Sequence, residues 1–308
     1  MLKVIGGEQE GEFKAVASGT LPNGKPVVVN SDGTVSVVSE TSVSESVGTA
    51  TIFESGSTAW PSSAYDSAQN KSLILWSDVS ASSVGKAAVA TVSGTSVTFG
   101  TEATWASGNR PEFIDAAYDV NTGKIVFAYS DGNNSDYCTA VVATISGTSV
   151  TFGTPVIVSS SGGAYYQSIV YDPNTQNLVV AYRQYIGGPV YGKANVLTVS
   201  GTSISVGTQA QFNSGDIAYN NLVYDTANQK VINVYAENAS TPYYLEAVVG
   251  TVSGTSITFG SVNVLNSDNI QMLTASYDVG TGKILSAYRR TSPDQAYARV
   301  LSVSGNTV

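Results

Sequence analysis

The feature that most constrains the fold is a five-fold internal repeat. A Tyr-Asp pair recurs every 53 residues, at Tyr65-Asp66, Tyr118-Asp119, Tyr171-Asp172, Tyr224-Asp225 and Tyr277-Asp278. A second aromatic residue keeps this period, at Trp76, Tyr129, Tyr182, Tyr235 and Tyr288. A Ser-Gly-Thr or Ser-Gly-Asn turn follows in each unit, at Gly94, Gly147, Gly201, Gly254 and Gly305. Self-similarity at such a period is typical of propellers and other repeat architectures.

Each unit carries the pattern of a β-meander. In the third unit, short runs rich in Val, Ile and Tyr are separated by turns rich in Gly, Asn and Asp, and no helical periodicity is present. These short runs predict strands over 167–171, 178–182, 193–199 and 204–212. Four strands in a unit of about 50 residues is the size of a propeller blade. The sequence therefore predicts an all-β fold, a five-bladed β-propeller.

The two ends of the repeat array predict how the ring closes. The chain stops at Val308, where the outer strand of the fifth unit should begin, and Ser46-Val47-Gly48-Thr49 repeats the letters of residues 205–208. We therefore expect residues 46–53 to complete the last blade of a propeller spanning 45–308, with an open array as the alternative. Residues 1–44 form a separate small β arm in this interpretation, with a hairpin around residues 30–33 and an anchoring role.

Composition excludes several classes of function. The chain has a net charge of −9, and no basic patch suited to nucleic acid is present. It contains no histidine and one cysteine, Cys138, so the sequence predicts no catalytic triad, metal site or cofactor. No apolar run is long enough to cross a membrane, and the first residues lack a signal peptide. We expect synthesis in a host cytoplasm and no membrane insertion.

One face of the predicted propeller is the better candidate for ligand binding. The loops between second and third strands, and between consecutive units, differ from unit to unit, whereas the other turns are nearly identical. Variable loops on a rigid scaffold commonly bind ligands. Aromatic and arginine side chains in these loops predict a surface for a glycan or a protein. The candidate residues are Trp60, Trp105, Arg110, Tyr137, Tyr165, Tyr166, Tyr185, Tyr191, Tyr219, Tyr243, Tyr244 and Tyr297.

The acidic residues do not predict catalysis. The aspartates of the five Tyr-Asp pairs occupy equivalent turn positions, whereas a catalytic carboxylate pair needs two different environments. We therefore interpret them as turn-capping residues. Glu112, Asp115 and Asp131 are specific to one unit but form no recognisable acid–base set. The sequence thus predicts a protein that is not an enzyme, with a glycan-cleaving propeller as a lesser alternative.

The amino-acid sequence of the repeat resembles that of a known family. Residues 118–129 and 140–154 resemble repeats in virion structural proteins of tailed phages, notably those infecting cyanobacteria. Residues 17–37 are similar to segments that precede such repeats. The resemblance implies a tail fibre or appendage on the virion, attached to other virion proteins through the arm and displaying the propeller to the host surface. A capsid decoration protein without a receptor is the alternative, and homo-oligomerisation is left open.

Overall fold

The computed structural model describes residues 16–21, 27–37, 47–80, 83–108, 110–238 and 242–308. The chain divides into two units, residues 1–48 and 49–308. The larger unit is an all-β five-bladed propeller, as predicted, in which each blade is an antiparallel sheet. The described residues include no helix of the length and apolar character needed to cross a bilayer.

The smaller unit contains the predicted hairpin. Strand β1 (Val27–Val29) pairs with β2 (Val35–Val37), and the turn between them is closed by the Gly33 N–H donating to the Asn30 carbonyl oxygen at 3.0 Å. Ala17 forms a parallel bridge with Val35, which is the buried residue of the pair. The rest of the predicted arm lies largely outside the described residues.

In the part of the chain that the structure describes, four blades contain five strands and the last contains three. Blade 1 comprises β3 (Thr58–Asp66), β4 (Lys71–Asp78), β5 (Val84–Ser93), β6 (Ser96–Phe99) and β7 (Ala103–Ala106). Blade 2 comprises β8 (Pro111–Asp119), β9 (Lys124–Asp131), β10 (Tyr137–Ser146), β11 (Ser149–Phe152) and β12 (Val156–Ser159). Blade 3 comprises β13 (Gly163–Asp172), β14 (Asn177–Tyr185), β15 (Val190–Ser200), β16 (Ser203–Val206) and β17 (Ala210–Asn213). Blade 4 comprises β18 (Ile217–Asp225), β19 (Lys230–Glu237), β20 (Leu245–Ser253), β21 (Ser256–Phe259) and β22 (Asn263–Asn266). Blade 5 comprises β23 (Ile270–Asp278), β24 (Lys283–Thr291) and β25 (Asp294–Leu301).

The core lies between blades. In β9, Phe127 and Tyr129 pack toward blade 1 and contact Trp105, whereas Val126 and Ala128 join Tyr182 in the cluster shared with blade 3. Alternate residues of a strand point to opposite faces, and here both faces are covered by neighbouring sheets. Strand β9 is therefore apolar on both faces.

The outer strand of each complete blade is split, which differs from the continuous strand predicted over 204–212. In blade 3, Gly207 separates β16 from β17, and its N–H still donates to the Val196 carbonyl oxygen at 2.8 Å. The break occurs where the next blade approaches, because a Cβ atom on Gly207 would meet the carbonyl oxygen of Thr255. The same approach occurs at Gly100, Gly153 and Gly260.

Replacing Gly207 with alanine is expected to destabilise the propeller by about 1–3 kcal/mol, because the added methyl group must displace backbone of blade 4. Urea unfolding monitored by tryptophan fluorescence measures the effect. Thr208→Ala, an exposed change at the adjacent residue, is the control and should be nearly neutral. Equal stability of the two variants would show that the blades do not pack this closely.

Blade 5 differs from the prediction at its outer edge. Residues 47–57 carry no strand, so the segment expected to complete this blade is not paired with β25; Ser46 lies outside the described residues. Phe53 instead packs on Trp76 at 5.0 Å and on Phe99 at 5.9 Å in blade 1. Trp105 makes the equivalent contacts with blade 2. The segment thus packs through Phe53 on blade 1, whereas its backbone adds no strand to blade 5.

Candidate functional site

A β-bulge interrupts the innermost strand of every blade at the same repeat position. The pairing of β8 with β9 shifts register between Glu112 and Asp115, and Phe113 within that gap has a φ of 52°. Residues other than glycine rarely adopt this left-handed conformation, which costs about 1–3 kcal/mol each. The equivalent residues also have positive φ, and they are Trp60, Tyr166, Tyr219 and Met272. Bulges commonly redirect side chains, so five redirected side chains are built into the inner strands.

Four of these residues form a continuous row of aromatic rings, here called the aromatic row: Trp60, Phe113, Tyr166 and Tyr219. Ring centroids are 4.1 Å apart for the first pair, 4.8 Å for the second and 5.5 Å for the third. The Trp60 side chain is 39% exposed, and Met272 at the fifth position is 64% exposed. The row therefore offers an apolar surface, made by four adjacent blades, to which a ligand has access.

Polar side chains flank the aromatic row. The Tyr165 hydroxyl donates to Asp136 Oδ2 at 3.0 Å, and the Tyr165 ring lies 5.9 Å from that of Phe113. The pKa of Tyr165 is raised, mainly by burial and secondly by the Asp136 carboxylate. The phenol therefore stays protonated at neutral pH. The Arg183 guanidinium lies over the Tyr165 ring at 5.7 Å. Hydrogen-bond donors and acceptors are thus present beside an apolar surface.

Below the row, side chains tie three of the inner strands, β8, β13 and β18, to the inner strand of the next blade. Asp115 Oδ2 accepts the Ile169 N–H at 2.9 Å, Ser168 Oγ accepts the Leu222 N–H at 3.0 Å, and Asn221 Oδ1 accepts the Ala275 N–H at 2.8 Å. These acceptors occupy equivalent repeat positions, two residues after each left-handed residue. They fix the spacing between blades, and hence the spacing of the rings above them.

Asp115 is the one ionisable member of these ties, and burial raises its pKa to about 6. Because the unfolded chain has an ordinary aspartate pKa, the folded state holds the proton more strongly between pH 4 and 6. Asp115 therefore lowers the free energy of unfolding as pH rises through this window, by at most about 1.4 kcal/mol per pH unit. Comparing urea unfolding of wild type and Asp115→Asn from pH 4 to 7 should show this fall in the wild type only. Parallel profiles would contradict the raised pKa.

The repeated aspartates lie at the other end of the inner strands, about 20 Å from the row at the usual rise per residue. Asp119 Oδ1 accepts the Asn121 N–H at 2.9 Å, and Asp172 Oδ1 accepts the Asn174 N–H at 2.9 Å. Their interpretation as turn caps is confirmed. A cavity of about 580 Å³ also opens at this end, lined by Tyr171, Tyr224 and Tyr277. It is distant from the aromatic row.

Apart from Trp105, the residues predicted from the sequence fall into two groups in the structure. Trp60, Tyr166 and Tyr219 belong to the aromatic row, while Tyr165 and Arg110 flank it. The remaining tyrosines lie outside the row. Tyr297 lies within β25, and the others lie in loops or near strand ends: Tyr137, Tyr185, Tyr191, Tyr243 and Tyr244. Of these, Tyr297 stacks on Tyr288 with centroids 6.0 Å apart, and Tyr191 lies under Lys193 Nζ at 4.9 Å.

Trp105 requires a correction. Its side chain is only 7% exposed, its indole N–H donates to the Lys86 carbonyl oxygen at 2.9 Å, and its ring packs on Phe127 and Tyr129. It is therefore a core residue between blades and does not face a ligand. The prediction failed because residue type alone does not distinguish an aromatic loop residue from one that packs against the next blade.

Phe113 and Met272 are not among the candidate residues predicted from the sequence. Both lie 53 residues from a neighbour in the series 60, 113, 166, 219, 272, so the repeat period itself would have found them. In the described part of the chain, no three His, Cys, Asp or Glu side chains are arranged to hold a metal ion.

No family model and no curated protein matches the sequence, whereas many solved structures match the fold. A Trypanosoma rangeli sialidase, solved as a covalent intermediate with 2,3-difluorosialic acid, is 11% identical with a TM-score of 0.52, covering 90% of this chain and 49% of that one. An exo-β-1,3-galactanase from Phanerochaete chrysosporium is 11% identical with a TM-score of 0.48, covering 75% and 58%. The RS223 β-xylosidase is 13% identical with a TM-score of 0.43, covering 82% and 94%.

The match to the sialidase corrects the prediction that the chain is not an enzyme. That prediction treated equivalent repeats as an argument against catalysis, yet the sialidase carries a covalent glycosyl intermediate on a similar fold. The prediction is therefore wrong, since the chain shares its fold with a sialidase.

Proposed function

We propose that the protein binds carbohydrate at the aromatic row. The observation that carries the proposal is the repeated use of a strained backbone: Trp60, Phe113, Tyr166 and Tyr219 all have φ between 52° and 55°. Strain of this kind persists where the surrounding structure enforces it, and it clusters at binding sites. Here it places four rings in one continuous surface.

The chemistry of the row and its flanks suits a sugar. A pyranose has an apolar face of C–H groups, which packs against aromatic rings, and hydroxyl groups that both donate and accept hydrogen bonds. The row supplies the rings, and the Tyr165–Asp136 and Arg183–Asp216 pairs supply donors and acceptors. A purely apolar ligand would leave these polar groups unused.

We also propose that the protein works on the surface of a phage virion, attached by its N-terminal arm. The similarity of the repeats to tailed-phage structural proteins supports this setting. A tail position fits binding of a host glycan, whereas a head position fits a decoration protein without a receptor. Cryo-electron microscopy of labelled virions distinguishes the two, since density on the head lattice would contradict a tail fibre.

Glycan hydrolysis is the second candidate function, and Asp115 favours it. Its carboxyl group lies two residues after Phe113 in the same strand, and burial raises its pKa to about 6. A carboxylic acid with such a pKa is partly protonated near neutral pH and can donate a proton to a leaving group. The fold shared with a sialidase is compatible with this role.

Both candidates are tested by incubating the purified protein with an array of immobilised glycans and analysing the released sugars by mass spectrometry. Retention of the protein without released sugar supports binding alone. Release that disappears in Asp115→Asn supports hydrolysis. Failure to bind or cleave any glycan, including those of the host surface, would contradict the proposed function.

A further inference from the structure

The arginines beside the aromatic row are all paired with carboxylates. Arg183 Nε lies 2.6 Å from Asp216 Oδ1, and Arg183 Nη2 lies 3.2 Å from Asp216 Oδ2. Arg110 Nη2 lies 3.0 Å from Glu112 Oε1. Each arginine therefore forms, with its carboxylate, an ion pair whose net charge is zero.

A third ion pair lies beside Met272, the fifth residue of the left-handed series. Arg289 makes two contacts with Asp294, at 2.7 and 2.9 Å, and also donates to Gln271 Oε1 at 3.1 Å, the residue immediately before Met272. The three pairs thus come from different blades and are placed next to residues of the left-handed series. This repetition in different blades argues against a single incidental surface contact.

Charge neutralisation at the site has a consequence for ligand choice. A sugar carboxylate would need to displace a protein carboxylate from its arginine, leaving that carboxylate without its partner. It would also approach a protein with a net charge of −9. A hydroxyl group faces neither cost, because an ion pair offers both a donor and an acceptor without separating.

We propose that the aromatic row selects neutral, hydroxyl-rich glycans and rejects glycans that carry carboxylates. This inference rests on the proposed function and specifies the substrate class of the same site. It predicts that neutral glycan binding changes little between 50 and 300 mM salt, since no net charge is neutralised.

Matched pairs of oligosaccharides test the selectivity. Each pair consists of a neutral hexose oligomer and the same oligomer oxidised at C6 to the uronic acid, with affinity measured by isothermal titration calorimetry. We expect the neutral member to bind at least 10-fold more tightly. Equal or tighter binding of oxidised members would overturn the selectivity while leaving glycan binding intact. Binding of neither member in any pair would contradict the proposed function and the selectivity together.

The variant Asp216→Asn tests the physical cause. It frees Arg183 to pair with a ligand carboxylate, so the preference for the neutral member should fall at least 10-fold. Glu102→Gln is the control of equal charge change, because Lys86 keeps its contacts with Glu54 and Asp78. Glu112→Gln, which frees the exposed Arg110, should act like Asp216→Asn even if the latter folds poorly. Unchanged selectivity in a folded Glu112→Gln would contradict the role of the ion pairs.

Discussion

Replacing Tyr166 with alanine should weaken glycan binding by about 10- to 100-fold. Tyr166 is the internal ring of the aromatic row that contacts both Phe113, at 4.8 Å, and Tyr219, at 5.5 Å. Its loss would divide the apolar surface in two. Truncation of a central aromatic residue in an interface commonly costs about 2 kcal/mol or more, and about 1.4 kcal/mol corresponds to a factor of ten in Kd. Titration calorimetry with a neutral glycan measures the change.

Two variants serve as controls for this prediction. Tyr166→Phe keeps the ring and should keep most of the affinity. Tyr185→Ala removes a tyrosine that is 43% exposed but lies outside the row, and it should leave Kd unchanged. If Tyr166→Ala and Tyr185→Ala bind equally well, the row is not the binding surface.

Replacing Tyr182 with alanine should lower the free energy of unfolding by about 3–5 kcal/mol. The Tyr182 side chain is fully buried in the cluster between blades 2 and 3, so truncation leaves a large cavity. Its hydroxyl donates to Asn195 Oδ1 at 2.7 Å and accepts from Gln209 Nε2 at 2.7 Å, so two polar groups also lose a partner. Urea denaturation measures the loss.

Tyr182→Phe separates the two contributions, because it removes only the hydroxyl and should cost about 1 kcal/mol. The exposed variant Tyr185→Ala should cost less than about 0.5 kcal/mol. A loss below about 1 kcal/mol for Tyr182→Ala would mean that the repeated aromatic residue is not part of a tight interface between blades.

The blade architecture was predictable because its signals are local and repeated. Tyr118-Asp119 marks the end of an inner strand, and Asp119 caps the turn through two backbone N–H groups and the Thr122 hydroxyl. Such a turn depends on residue type within a few positions. With five copies in register, the number of blades followed directly.

The features that could not be predicted depend on neighbouring blades. Gly207 interrupts a strand because Thr255 approaches from the next blade, 48 residues later in the chain. Phe113 adopts a positive φ although nothing in its residue type favours this conformation. Trp105 is buried by Phe127 and Tyr129 of the adjacent sheet. Each outcome is decided by tertiary packing and lies outside the reach of local sequence pattern.

The most direct test of the central claim is a crystal structure of the protein with a neutral oligosaccharide bound. We predict electron density for a pyranose ring packed on Phe113 and Tyr166, with its hydroxyl groups within hydrogen-bond distance of the polar groups that flank the row. Density in the cavity lined by Tyr171, Tyr224 and Tyr277 at the opposite end, with the aromatic row empty, would contradict the account.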